Sequence, residues 1–306
     1  MNESRKDTVA FWLFVSPWVC GFALFSGEPL IASGLLSFTN YSLFAPPSFA
    51  GLDNYSALLN DALLAKSLKA TLAYTLLAVP FHLVSTLALA LLLHSAVVGQ
   101  ALLRTLYYLP SLVSGIAVAL LWSSLMDPHS GFIHTFLSSV LGLKGPLLLQ
   151  NPKSVIPSIV VMDLTSLGST TLIFLAALQV LPAELFHAAK IDGAGRLKTL
   201  FKITLPLLSP VLLFNAVMDV ISSLQVFTPA YIVTKGGPEW SSYFYVYYLF
   251  RAAFFQFDMG YASAMAWILL LLTFASICLI VALTRPFVYY ENKPAASNKG
   301  GRRHVV

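Results

Sequence analysis

Six stretches of this chain are long and apolar enough to cross a lipid bilayer, at about 9–38, 68–93, 102–126, 156–181, 207–233 and 261–283. A hydrocarbon core about 30 Å thick takes roughly 20 apolar helical residues to span. Only helices or closed barrels satisfy every backbone N–H and C=O in such a medium. The predicted fold class is therefore an all-α integral membrane protein of about six transmembrane helices. The first stretch is over-long and holds Pro17 and Pro29, so part of it is expected to extend beyond the membrane. A seventh apolar run, SSYFYVYYLFRAAFF at 241–255, carries Arg251. It reads as a helix packed within the protein near the outer interface, with an extra span as the alternative.

Composition agrees with this reading. Of 306 residues 58% are hydrophobic and 10% charged, and the mean hydropathy is +0.78, too apolar for a soluble domain that must cover its own surface. MNESRKD runs straight into the first span without a short apolar region and a cleavage site, so that span is expected to be retained. With the N-terminus inside, the cytoplasmic segments collect Arg5, Lys6, Arg104, Lys190, Arg196, Lys198, Lys202, Arg285, Lys293, Lys299, Arg302 and Arg303, 12 of the 18 basic residues. Both termini are then expected to face the cytoplasm. The net charge of +5 follows from that bias and calls for no nucleic acid. The polar tail from 286 onward is expected to be disordered. Cys20 and Cys278 lie within spans and behave as small hydrophobes, and His129 with His134 in an outer loop falls short of a metal site. No nucleophile elbow, HExxH helix or phosphate-binding loop is present, so no cofactor is expected and no nucleotide hydrolysis by this chain.

One polar stretch interrupts the spans. Residues 182–206, PAELFHAAKIDGAGRLKTLFKITLP, read as a short helix with Pro182 and Glu184 at its start, Ala188 and Ala189 within it, and a glycine elbow at Gly193 and Gly195. A second amphipathic helix starts near Arg196, and Pro206 marks the start of the fifth span. A charged loop that merely fixes topology needs no elbow and no small, closely approachable surface, so the stretch reads as a docking element for a soluble partner.

Here the sequence resembles the signature loop of the inner-membrane permease subunits of binding-protein-dependent ABC importers, carbohydrate branch. The resemblance is carried by Pro182, Glu184, Leu185, Phe186, Ala188, Ala189, Ile191, Asp192, Gly193, Ala194, Phe201, Ile203, Thr204, Leu205 and Pro206. It extends to 37–59, RTLYYLP at 104–110, SLQVFTPAYIVTKGGP at 223–238 and FDMGYASAMAW at 257–267, which are similar to maltose-type and glycerol-phosphate-type permeases. The resemblance implies a transmembrane domain over 67–285, preceded by a first span and outer segment over 1–66 and followed by a cytoplasmic tail over 286–306. It implies a second permease subunit, a dimer of ATPase subunits that bind the ATP, an extracytoplasmic solute-binding protein and a sugar or polyol cargo. It implies a multi-pass protein of a bacterial or archaeal cytoplasmic membrane that is not itself an enzyme. Glu184, His187, Ala188, Ala189, Asp192, Gly193 and Pro206 would then meet the ATPase. His187 stands where the family usually has a glutamate, exchanging a fixed charge for a group that titrates near neutral pH.

Ionisable groups within spans cost roughly 2.5–3.5 kcal/mol on insertion scales, so each asks for a reason. Asp163 and Asp219 fall inside the fourth and fifth spans. Asn215, Asp219, Ser222 and Ser223 form a polar stripe, followed by Gln225, Phe227 and Tyr231. With Asp163 these are the candidates for a sugar pathway, with sealing of helix packing as the alternative role; His82 reads as a hydrogen-bonded bundle residue. Two other classes stay open. A self-sufficient secondary transporter would show internal repeats, and none is convincing here. An intramembrane aspartyl enzyme would carry YD and GxGD around its acids, whereas Asp163 lies in MDL and Asp219 in MDV.

Overall fold

The computed structural model describes residues 3–95, 99–140 and 147–288. The basic residues expected in the tail from 289 onward lie outside the described residues. The first span is α1 (Glu3–Phe22), a π-helical turn (Ala23–Gly27) and α2 (Glu28–Leu36). An antiparallel hairpin follows, β1 (Thr39–Ser42) with β2 (Ala45–Phe49), in the register Thr39↔Phe49 and Asn40↔Ser48. Next come α3 (Asp53–Asn60) and the long second span α4 (Ala62–His94).

The third span, predicted over 102–126, is broken at its middle. It is α5 (Gln100–Tyr108), a 3-10 turn (Leu109–Leu112) and α6 (Gly115–Leu125), with a bend of 96° between its two halves. Pro110 lacks the N–H that would continue the helix, and Val113 and Ser114 are extended (ψ 139° and 134°). After α7 (Phe132–Val140), the fourth span is α8 (Val155–Met162) and α9 (Leu167–Val180), joined by a 3-10 turn at Asp163–Ser166. Then come α10 (Ala183–Ile191), α11 (Arg196–Thr199), α12 (Leu205–Leu224), α13 (Tyr245–Phe254) and α14 (Met259–Thr284). Among the described residues five helices are long and apolar enough to cross a membrane, or six with the bent third span. α13, at ten residues, is too short to span and buries Tyr245, Tyr247, Tyr248, Ala252 and Ala253. It is the internally packed helix expected from 241–255.

The apolar core is split. One cluster gathers Leu58, Tyr74, Ala78, Val155, Ile159, Phe244 and Met265 at the hairpin end of the bundle. The other gathers Ala90, Leu93, Phe174, Leu178 and Leu208 at the α10 end. Around both, large apolar side chains such as Leu76, Val84, Phe214 and Leu271 face outward, as lipid-facing surfaces do. Close approach of the spans depends on Gly168, whose added Cβ would lie 2.5 Å from the carbonyl oxygen of Tyr107; small residues admit such backbone contacts between membrane helices.

At the hairpin end Asp61 knots three elements. Its carboxylate caps α4 through the N–H groups of Leu63 (2.7 Å) and Leu64 (3.2 Å) and accepts the hydroxyls of Tyr248 on α13 and Tyr261 on α14, each at 2.5 Å. Burial pushes its pKa up, but the four hydrogen bonds outweigh that and hold it below 3.8. Burial, followed by the bond to Asp61, pushes the Tyr248 phenol up to about 12. A depressed carboxylate stabilises the fold above its ordinary pKa, and the contribution is lost as pH falls through the folded value. Asp61→Ala, which loses the cap and strands two phenols, is expected to lower stability by about 2–3 kcal/mol at neutral pH. Thermal unfolding in detergent at pH 7 checks this, and an unchanged midpoint would refute the knot.

Candidate functional site

Two places bring the predicted residues together. The first lies between the two halves of the split core. A cavity of about 360 Å3 there is lined by Tyr74, Ala78, Val79 and His82 from α4, Asp163, Ser166, Ser169 and Thr170 from the fourth span, and Asp219, Ser222 and Ser223 from α12. The bundle is thus polar where its apolar clusters stop. Asp163, Asp219 and Ser222, three of the pathway candidates, line this cavity together.

Each acid has a cross-helix partner on α4. The Tyr74 hydroxyl donates to Asp163 Oδ2 at 2.7 Å. His82 Nδ1 lies 2.9 Å from Asp219 Oδ2, with both side chains about 15% exposed to the cavity. Tyr74, Ala78 and His82 follow at i, i+4 and i+8, so one face of α4 serves both acids. Ser166, Ser169 and Thr170 repeat the same logic on the fourth span. The sequence alone points to His82 only as a hydrogen-bonded bundle residue, and not to Tyr74. Their helical spacing opposite the two acids was the available signal.

The remaining interior candidates lie elsewhere. Asn215 is buried and its amide donates to the Val211 carbonyl of its own helix at 2.9 Å, an internal bond that removes it from the cavity wall. Gln225, the C-cap of α12, lines a different, mainly apolar cavity of about 550 Å3 against α13 and α14. Tyr231 stacks on Phe227 with ring centres 5.2 Å apart and meets Phe250 edge-on. Arg251 lies over the Phe255 ring at 5.7 Å.

The second place is α10 and the turn after it. Pro182 is the N-cap, with φ −61° and ψ 122°, and Glu184 sits in the first turn, where a negative charge faces the positive end of the helix dipole. The helix stops because Gly193 adopts φ +69°. The Gly193 N–H reaches the Lys190 carbonyl at 3.2 Å and the Ala194 N–H reaches the Ala189 carbonyl at 2.9 Å, the paired bonds of a Schellman C-cap. The elbow is a single glycine rather than the expected pair, since Gly195 is extended (φ −68°, ψ 163°), a conformation open to any residue. Nor is the second helix a separate unit. From Arg196 the chain stays helical through a π turn at Leu200–Thr204 into α12; Pro206 follows closely on that π turn, where the pairing already departs from the α-helical ladder that a proline would break.

Only Ala189 of α10 is buried. Glu184, His187, Ala188 and Asp192 are exposed, and so are the apolar side chains of Ile191 (86%), Leu197 (72%) and Phe201 (64%). The segment presents a rigid helix, mixed charges and apolar knobs on the surface of the chain.

Residues 71–288 match the family of binding-protein-dependent transport system inner membrane components. The probable ABC transporter permease protein YesP of Bacillus subtilis strain 168 is 42% identical over 294 residues, 94% of each chain. The sn-glycerol-3-phosphate transport system permease protein UgpA of Yersinia enterocolitica is 32% identical over 267 residues, 87% of this chain and 85% of the relative. Among solved structures, a chain of a bacterial alginate ABC transporter in complex with an alginate pentasaccharide-bound periplasmic protein superimposes with a TM-score of 0.81 at 20% identity, covering 93% of this chain and 96% of that one. A family match across the second to sixth spans, a relative similar over nearly the full length and a shared fold agree, and the chain belongs to the binding-protein-dependent transport system inner membrane components, the permeases of ABC importers.

Proposed function

We propose that this permease forms half of a translocation pathway for a sugar, polyol or a derivative of one, pairing with a second permease and driven by ATP hydrolysis on separate ATPase subunits. An extracytoplasmic solute-binding protein delivers the cargo. The termini and α10 lie on the cytoplasmic face in this reading.

The observation that carries the pathway is the polar cavity at the gap in the core. Carboxylate, imidazole, phenol and hydroxyl groups converge there from α4, the fourth span and α12, the mixture of donors and acceptors that a polyhydroxylated solute exchanges for water. Each of these groups would be costly in lipid, and their grouping around one space supports a role in passage. The names of the relatives, which concern glycerol-3-phosphate and alginate, support a carbohydrate or polyol cargo.

Docking to the ATPase is assigned to α10. His187, Ala188, Glu184 and Asp192 offer contacts, Gly193 fixes the exit of the chain, and the continuous helix from Arg196 to Leu224 carries a push on that surface directly to Asp219. ATP binds to the partner, so this chain itself needs no cofactor.

Gentle detergent purification of the tagged chain from its host, followed by mass spectrometry, tests the assembly. Recovery of a second multi-span permease and an ATPase with nucleotide-binding motifs is the expected result. A chain that is recovered alone and transports solute when reconstituted alone would overturn the reading in favour of a self-sufficient transporter.

A further inference from the structure

We propose that the hydrogen bond between Tyr74 and Asp163 is a latch between two successive chambers of the solute path. Asp163 is the side chain the solute passes, and Tyr74 is the positioning residue that holds it. This inference rests on reading the polar cavity as a pathway.

The polar cavity does not end at Asp163. A second cavity of about 210 Å3 lies on the other side of the same turn, lined by Ser111 and Val113 at the bend of the third span, Thr228 and Pro229 after α12, and again by Asp163 and Ser166. Asp163 and Ser166 line both spaces. The partition between the chambers is thus the 3-10 turn Asp163–Ser166, the one interruption in the fourth span.

Three features make this turn suited to a movable wall. A 3-10 turn has poorer hydrogen-bond geometry than the α-helices on either side, and within a helix it often marks a hinge. It faces the 96° break of the third span, so two spans lose helical continuity at the same level. Its side chains are tied mostly to their own turn, Thr165 Oγ1 to the Met162 carbonyl (2.7 Å) and Ser166 Oγ to the Asp163 carbonyl (2.7 Å). Among the described residues, the side-chain hydrogen bond that ties the turn to another helix is Tyr74 to Asp163 at 2.7 Å. Tyr74 is itself fixed, buried and packed against Phe244 with ring centres 5.2 Å apart. A rigid phenol thus holds a carboxylate on a hinge-like turn between two cavities.

The test uses the full chain in membrane vesicles of its host, right-side-out and inside-out, with Cys20 and Cys278 replaced by serine. Ser111→Cys reports on the second chamber and Ser169→Cys on the polar cavity. The probe is the impermeant cation 2-(trimethylammonium)ethyl methanethiosulfonate. With the latch intact the two cysteines label from opposite faces. Tyr74→Phe is expected to raise labelling of Ser169→Cys from the Ser111 side about tenfold or more, the scale of one hydrogen bond to a charged group. Asp163→Ala removes the same bond from the other partner and is expected to do likewise, so misfolding of one variant does not decide the matter. Asp163→Asn retains an acceptor for the phenol and should keep the block. Labelling rates unmoved by both Tyr74→Phe and Asp163→Ala would overturn the latch and leave the pathway standing. Failure of both cysteines to label from either face would overturn the pathway reading and the latch with it.

Discussion

Gly193→Val is expected to abolish most transport while leaving the chain inserted and folded. Gly193 holds φ +69° with no atom within 4 Å of where a Cβ would stand, so the obstacle is backbone conformation and not lack of room. A β-branched residue forced into this region costs about 1–3 kcal/mol. The chain escapes that cost by leaving it, which breaks the bonds from Gly193 to Lys190 and from Ala194 to Ala189. The end of α10 then frays and its exposed face loses a fixed direction relative to the helix that begins at Arg196. Insertion depends on the apolar spans and the basic residues, which are untouched. Import should fall by about tenfold or more, as the cap energy implies, while ATP hydrolysis by the assembled complex no longer responds to solute. Two controls sharpen the expectation. Gly193→Asn should retain much of the activity because asparagine tolerates left-handed φ, and Gly195→Ala should be silent because that residue is extended with nothing near it. Wild-type import by Gly193→Val would remove α10 geometry from the mechanism.

The second large effect is expected at His82 and Asp219. Removing His82 strands the Asp219 carboxylate without its cross-helix hydrogen-bond partner, at about 1–3 kcal/mol or somewhat more in a closed site. The cavity admits some solvent here, with about 15% exposure at each side chain, so about half of that is the expected loss for His82→Leu. The double substitution His82→Leu with Asp219→Leu removes both polar groups and should recover most of the stability, since buried pairs are often replaced by apolar residues at little cost. If the pair only seals the bundle, transport recovers with stability. If it lines the pathway, the double variant is stable and inactive, with import below about a tenth of wild type, the loss of one strong polar contact. Thermal unfolding and uptake measured on the four members of this cycle separate the outcomes. A stable double variant with normal uptake would take Asp219 out of the path.

What the sequence made legible follows from what hydropathy and spacing can encode. The spans were visible because lipid imposes length and apolarity on every one of them. The elbow after α10 was visible because only glycine sits easily at left-handed φ, although the second glycine in the same motif proved ordinary. The breaks were harder. In the third span Pro110 and Gly115 were there to be read, yet an uninterrupted hydropathy signal ran across them. In the fourth span nothing in MDLTSLG except Gly168 marks the 3-10 turn. The partners of the interior acids were harder still. His82 lies 137 residues from Asp219 and Tyr74 lies 89 from Asp163, and helical periodicity describes one helix at a time. Asn215, chosen for its place on the stripe of Asp219, instead donates to its own backbone, a competition that local spacing does not reveal.

The division of the apolar core into two clusters bears on how such a bundle can rock. A continuous core resists every relative motion of its helices, since tilting any pair opens voids along their whole length. Here α4 and the fourth span meet in both clusters, above and below a belt of replaceable polar contacts, and α12 joins them in the cluster at the α10 end. Tilting them about that belt loosens one grip while tightening the other. The belt acts as a fulcrum, where exchanging one hydrogen bond for another with water costs little. A tilt about this belt would load each end in turn, so its work would scale with one cluster and not with the whole bundle.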